Sequence, residues 1–177
     1  MADRDKRSFH IIFNLVLLIL ITTLETSIWH TILAPIPNPQ LWLSVVVFVF
    51  LYRSPIESMV IIYVPSFFIY LLTMQPLGYL LLAQTLVFLL VNAVKTRMFV
   101  PGQFYFSVMY AASVLTFQLL IYIFSWVFEA KPLFLSQAFS WIVQSVIAFV
   151  VSPLVYKIIQ RANPKDEFVG NSGDGFL

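Results

Sequence analysis

Cysteine is absent from the 177-residue chain, which excludes a disulfide framework and thiolate chemistry and leaves the redox compartment open. Charge is scarce: 10% of residues are Asp, Glu, Lys or Arg, where a soluble domain carries about 25%. With 60% hydrophobic residues, a soluble fold would have an apolar core and almost no polar surface to cover it. The composition therefore predicts a polytopic membrane protein. The formal net charge of +2 is too small to imply a nucleic-acid partner. Motifs of catalysis are missing as well. There is no paired-Asp set, no Ser/His pair within an apolar run, no Gly-rich phosphate loop and no zinc-ligand spacing. The expectation is a non-enzymatic protein with no cofactor and no metal.

What is present begins with one long uncharged stretch. Positions 58 to 94, between Glu57 and Lys95, are 37 residues without a single formal charge. One bilayer crossing takes about 20 apolar residues, so the stretch holds two short spans. Thr73-Met74-Gln75-Pro76-Leu77-Gly78 punctuates its middle as a turn. Further spans fall at about Phe9–Ser27, Leu41–Tyr52, Phe104–Phe128 and Leu135–Tyr156, flanking the pair at about Ser58–Leu72 and Tyr79–Val94. The first follows Arg4, Lys6 and Arg7 like a signal peptide, but no Ala-x-Ala-like site follows, so it reads as a retained span. Pro35-Ile36-Pro37-Asn38-Pro39 excludes a helix and marks an extended loop, bracketed by Trp29 and Trp42 as at a membrane interface. The second span is short, which implies either little tilt or shielding by neighbours. Pro65 predicts a kink or break in the third. The expected fold class is all-α: six transmembrane helices in a compact bundle over residues 9–156. A short cytoplasmic N-terminus (1–8) precedes it and a partly disordered cytoplasmic tail (157–177) follows.

On six spans with the N-terminus inside, nine of the ten Lys and Arg residues fall on the cytoplasmic side: Arg4, Lys6, Arg7, Arg53, Lys95, Arg97, Lys157, Arg161 and Lys165. Lys131 alone falls outside. That asymmetry sets orientation and predicts both termini in the cytoplasm.

Within the spans, Glu25 is the one residue with a formal charge at neutral pH. Its distance from the start of the first span predicts a place near the outer interface. It reads there as a carboxylate in water, or as a contact to a partner, to His30 or to another spanning helix. One Glu and one His do not make a metal site. Neutral polar residues form stripes at helical spacing: Gln137, Ser140, Gln144, Ala148 and Ser152 in the last span, and Ser107, Ala111, Gln118, Tyr122 and Ser125 in the fifth. Gln84 and Asn92 in the fourth span and Asn14 and Thr22 in the first are similar. Such residues pack membrane helices together, line a cavity, or dock a partner helix. Gln118, Ser125, Gln137, Ser140 and Gln144 are the candidate packing or partner faces. Arg53, Lys95 and Arg97 are the candidate cytoplasmic contacts, either with anionic headgroups or with a protein. The aromatic clusters Phe48/Phe50, Phe67/Phe68 and Phe104/Tyr105/Phe106 read as lipid-facing or core packing.

The layout resembles the MreD family of rod-shape-determining inner-membrane proteins of bacteria. Pro39-Gln40-Leu41-Trp42-Leu43 is similar to the family's Pro-led start of the second span. Gln75-Pro76-Leu77-Gly78-Tyr79, with the exit Lys95-Thr96-Arg97-Met98-Phe99, is similar to its Leu-Gly turn and basic exit. Pro153-Leu154-Val155-Tyr156 before Lys157 and Arg161 is similar to its last-span proline and basic end. The third span departs from the pattern: Pro65-Ser66-Phe67-Phe68-Ile69-Tyr70-Leu71-Leu72 has neither the family's glycines nor its Asp, so that acid's role does not carry over and the chain reads as a divergent member. The resemblance implies a non-catalytic scaffold of the cell-elongation complex, supporting side-wall peptidoglycan synthesis. Its partners would be membrane lipids, an MreC-like single-span protein, the filament protein MreB, and RodA with its transpeptidase. The family's likeness in fold to the substrate-binding components of vitamin transporters implies an alternative, a small-molecule-binding component lined by Glu25, His30, Gln84 or Gln137.

Overall fold

The computed structural model describes residues 2–25, 27, 37–53, 58, 59, 63, 66–71, 76–98, 100, 102–129 and 138–162. The described residues are helical, with no strand among them. Five continuous helices are α1 (Ala2–Leu24), α2 (Leu41–Tyr52), α3 (Leu77–Met98), α4 (Gln103–Glu129) and α5 (Ala138–Ala162). A helical stretch over residues 66–71 precedes α3.

Three helices are long and apolar enough to cross a membrane: Leu77–Met98, Gln103–Phe128 and Ala138–Arg161. Two shorter apolar helices are Ile12–Leu24 and Leu41–Tyr52. At 1.5 Å per residue α2 is only about 18 Å long, against about 30 Å of hydrocarbon. Its sequence, LWLSVVVFVFLY, has no polar face. A helix apolar all round is a buried one, and every residue from Trp42 to Leu51 is buried. The short second span expected from the sequence is thus shielded on all sides, by α1, α3, α4 and α5.

The other helices are arranged inside-out. Ile12, Val16, Leu20 and Leu24 leave an apolar stripe exposed on α1, while Asn14, Leu18 and Thr22 are buried. On α3, Leu82, Leu86 and Leu89 are exposed and Gln84 is fully buried; on α4, Leu115 and Leu119 are exposed and Ser107 and Ser113 are buried. Phe139 on α5 is 75% exposed and Trp126 on α4 is 63% exposed. Apolar side chains outward and polar ones inward suit a lipid solvent, since lipid supplies no partner for a polar group.

α4 and α5 pack antiparallel along a polar seam. Ser152 donates to Ser107, Ser145 Oγ donates to the Ala111 carbonyl at 2.8 Å, and Gln118 Nε2 donates to Gln144 Oε1 at 2.8 Å. Tyr122 and Trp141 continue it with ring centroids 5.4 Å apart. At the far end of the same pair, Phe48 and Tyr52 of α2 meet Phe106 of α4 and Tyr156 of α5, with centroids 4.8 to 6.1 Å apart.

Helix limits differ from the expected spans mainly at the ends. α1 begins at Ala2 rather than Phe9, and α5 runs through Pro153 as far as Ala162. A proline inside a membrane helix is tolerated where neighbours re-satisfy the freed carbonyl. Here the Ser152 Oγ lies 2.7 Å from the Phe149 carbonyl, four residues before Pro153, so its one proton is shared between that carbonyl and Ser107. The expected break at Pro65 lies outside the described residues.

Truncation should discriminate the two environments. Phe48→Ala, at the centre of the ring cluster, should cost about 3 kcal/mol or more. Phe139→Ala on the exposed face should stay within about 0.5 kcal/mol of the parent. Unfolding of the purified protein in micelles with increasing SDS fraction measures both.

Candidate functional site: the two ends of the buried helix

A helix leaves four N–H groups and four carbonyls without intrahelical partners. α2 ends inside the protein at its start, so those groups need partners from elsewhere in the chain. At the start, the Glu25 Oε2 atom accepts a hydrogen bond from the Trp42 N–H at 3.1 Å. The Leu41 N–H and the Asn38 side chain face the same carboxyl group. The Leu43 N–H donates to the Gln40 carbonyl at 2.9 Å. A carboxylate here also meets the positive end of the helix dipole. Glu25 is 4% exposed.

The loop entering α2 is held in an unusual shape. Gln40 is left-handed, with φ 54° and ψ 58°, which costs a non-glycine residue about 1–2 kcal/mol. Two contacts hold it there. The Gln40 N–H donates to Asn38 Oδ1 at 2.9 Å, as in an Asx turn. The Tyr110 hydroxyl, on α4 and fully buried, lies 2.8 Å from the Pro39 carbonyl and 3.2 Å from the Gln40 carbonyl as donor. Trp42 then packs edge-on against Phe117 of α4, centroids 5.3 Å apart.

At the other end, Lys95 Nζ of α3 donates to the Phe50 carbonyl at 3.3 Å and the Arg53 carbonyl at 3.4 Å. The Val49 carbonyl accepts from the Arg53 N–H at 2.9 Å and from Ser58 Oγ at 3.3 Å. A cation at the C-terminal end complements the dipole as the acid does at the start. One acid and one base therefore bracket a helix that has no charge of its own.

Glu25 requires a correction. Of the readings offered for it, a carboxylate in water is overturned by its burial, and a bond to another helix is the one the structure has, to the Trp42 N–H of α2. Tyr110 and Phe117, which flank the start of α2, are 7 and 14 residues into α4. That is roughly 10 and 20 Å along a helix of about 40 Å. The site therefore lies well within the length of the span. The cause is α2 itself: a helix that begins part-way through needs an anion at its first turn. Lys95 likewise points into the protein, while Arg97, two residues on, is exposed.

Gln118 and Gln144 are brought together, and Gln144 Nε2 lies 3.5 Å from Ser140 Oγ in the same helix. Ser125 is buried on α4. Arg53 is half-buried at the end of α2. Gln137 and His30 lie outside the described residues. Sequence reasoning missed Asn38, Tyr110 and the Ser66–Gln84 hydrogen bond, which joins the 66–71 stretch to α3. Asn38 between two prolines carried a turn signal; nothing marked Tyr110 among eight tyrosines.

These features define an all-helical chain with membrane-length apolar helices around a capped, buried half-helix. Comparison with protein-family models, with curated proteins and with solved structures returns no match.

Glu25→Ala should lower stability by about 1–2 kcal/mol, the range for a lost N-cap. Tyr110→Phe should cost about 1 kcal/mol, the net worth of one hydrogen bond. Because the caps act about 18 Å apart, Glu25→Ala and Lys95→Met should be additive within about 0.5 kcal/mol. The same SDS unfolding assay gives all four values; an unchanged midpoint for Glu25→Ala would remove its capping role.

Proposed function

We propose that this chain is a non-catalytic scaffold in the bacterial inner membrane, a divergent MreD-like component of the cell-elongation complex. It crosses the membrane six times as a compact bundle with both termini cytoplasmic. It works with an MreC-like single-span protein and, through it, with MreB and RodA-type partners. One observation supports the reading: two of the three stretches that resemble the family fall on helix ends, while the third, Pro153 to Tyr156, lies inside α5. Pro39-Gln40-Leu41-Trp42 is the capped start of α2, Leu77-Gly78 opens α3, and Lys95 and Arg97 close it. Lys157 and Arg161 fall in the last turns of α5. Orientation is supported by the described Lys and Arg side chains, Arg53, Lys95, Arg97, Lys157 and Arg161, which gather where α2, α3 and α5 finish.

The packed interior supports a scaffold over a carrier. The start of a helix broken part-way through a membrane is where a carrier holds an anionic substrate group. Here the chain's own Glu25 fills that position.

Depletion in the native rod-shaped bacterium should produce rounded cells, and the tagged chain should co-purify with a single-span periplasmic-domain partner. Normal rods after clean deletion, in a strain with no second copy, would overturn the proposal.

A further inference from the structure

The three helices long enough to cross a membrane carry aromatic rings at one end of the fold. Tyr79 is the third residue of α3, and its ring stacks on Phe128 in the last turn of α4, centroids 5.6 Å apart. Phe124, one turn earlier on α4, lies 6.4 Å from Tyr79 and 6.3 Å from Phe128. Facing α5 instead, Tyr122 meets Trp141, the fourth residue of that helix, at 5.4 Å. The start of α3, the end of α4 and the start of α5 therefore lie at one level. Trp126 stands between these contacts along α4. It and Phe128 are exposed, while Tyr79, Tyr122 and Trp141 are half-buried. Trp42, expected at a membrane interface, is instead buried against Phe117.

We propose that these rings form a collar that binds the headgroup and glycerol layer of one leaflet, with Tyr79, Trp126 and Trp141 at the boundary of the hydrocarbon. The occupant follows from chemistry and spacing. Tyrosine and tryptophan join an apolar body to one polar tip, which suits that layer better than acyl chains or bulk water. The collar sits on the ends of membrane-length apolar helices, and each helix has the right length beyond it. On α4 the exposed Phe104 is 22 residues from Trp126, about 33 Å. On α3 the exposed Arg97 is 18 residues from Tyr79, about 27 Å, and on α5 the exposed Arg161 is 20 residues from Trp141, about 30 Å. Each distance is close to one hydrocarbon thickness, about 30 Å. The collar also sets the depth of the capped start of α2. Leu115 is midway between Phe104 and Trp126, and Phe117, which meets Trp42, is two residues from it. The start of α2 therefore lies close to the middle of the bilayer, where no water reaches a bare N–H group. The proposal rests on the membrane reading alone and stands apart from the scaffold assignment.

The test uses the absence of cysteine. Phe104→Cys, Leu115→Cys and Val127→Cys each place one nitroxide label on the exposed face of α4, in the full chain reconstituted in phosphatidylcholine vesicles. Collision with oxygen relative to a water-soluble nickel complex reports depth. The Leu115 label should be the deepest, with the other two each about 17 Å shallower. A deepest label at Val127 sets the collar within the hydrocarbon and overturns the proposal. So does a Leu115 label no deeper than the other two. Should a labelled variant fail to fold, Trp126 decides in otherwise unaltered protein. The emission lost in Trp126→Phe should be quenched more by a nitroxide at the lipid headgroup than by one at the end of an acyl chain. Equal or reversed quenching overturns the collar. No quenching by either also overturns it, in favour of contact with a second copy of the chain.

Discussion

A helix too short to cross a membrane must end inside something, and in a bilayer that something has to be protein. This constraint governs the fold. α2 is buried from Trp42 to Leu51, and the N–H groups at its start have no water to turn to. The cost of leaving such groups bare is several kcal/mol each in hydrocarbon. Glu25, Gln40, Ser58 and Lys95 answer it from four different parts of the chain. The surrounding helices are therefore bound to α2 by its ends as well as by its sides. Tyr110 extends the same logic by holding the turn that lets Gln40 start the helix.

The driving force around α2 differs from that in a soluble core. Lipid tails are as apolar as leucine, so burying Val45 or Phe48 gains little from leaving the solvent. The gain comes from dispersion contacts and from polar groups that find partners only in one arrangement. Each hydrogen bond in the α4–α5 seam is worth about 0.6 kcal/mol on average. Three of them, at Ser107, Ala111 and Gln118, fix register more than they fix stability. A one-turn slip along the pair would strand Gln118 and Ser152 opposite apolar side chains.

Much of this was legible in the sequence at the level of elements. Apolar run lengths marked the helices, and α2 starts and stops at Leu41 and Tyr52 as read. Polar spacing put Gln118 and Gln144 on stripes that the fold brings face to face. The burial of Glu25 was not legible. Counting residues along the first span treats each span as a straight crossing measured on its own and says nothing of what covers a side chain. The burial of Glu25 is set instead by where α2 begins beside α4, which is a relation between helices 17 and 85 positions away from it, at Trp42 and Tyr110. No local pattern encodes such a relation. Helix ends were blurred for a related reason: a basic residue reads as the edge of a span, yet α1 and α5 continue as helix through theirs.

The two caps also give Lys95 a part that Arg97 does not share. Lys95 and Arg97 are both basic residues of the last turn of α3. As a donor to Phe50 and Arg53, Lys95 completes the terminus of a helix whose other terminus needs an anion. The helix dipole couples these two demands, since reversing α2 would set its negative end against Glu25 and its positive end against Lys95. The acid and the base thus select one direction for α2. A carrier would have to release the start of α2 to admit an anionic ligand, giving up Glu25 and with it half of this selection. The two side chains that close the ends of α2 therefore also fix which way it runs.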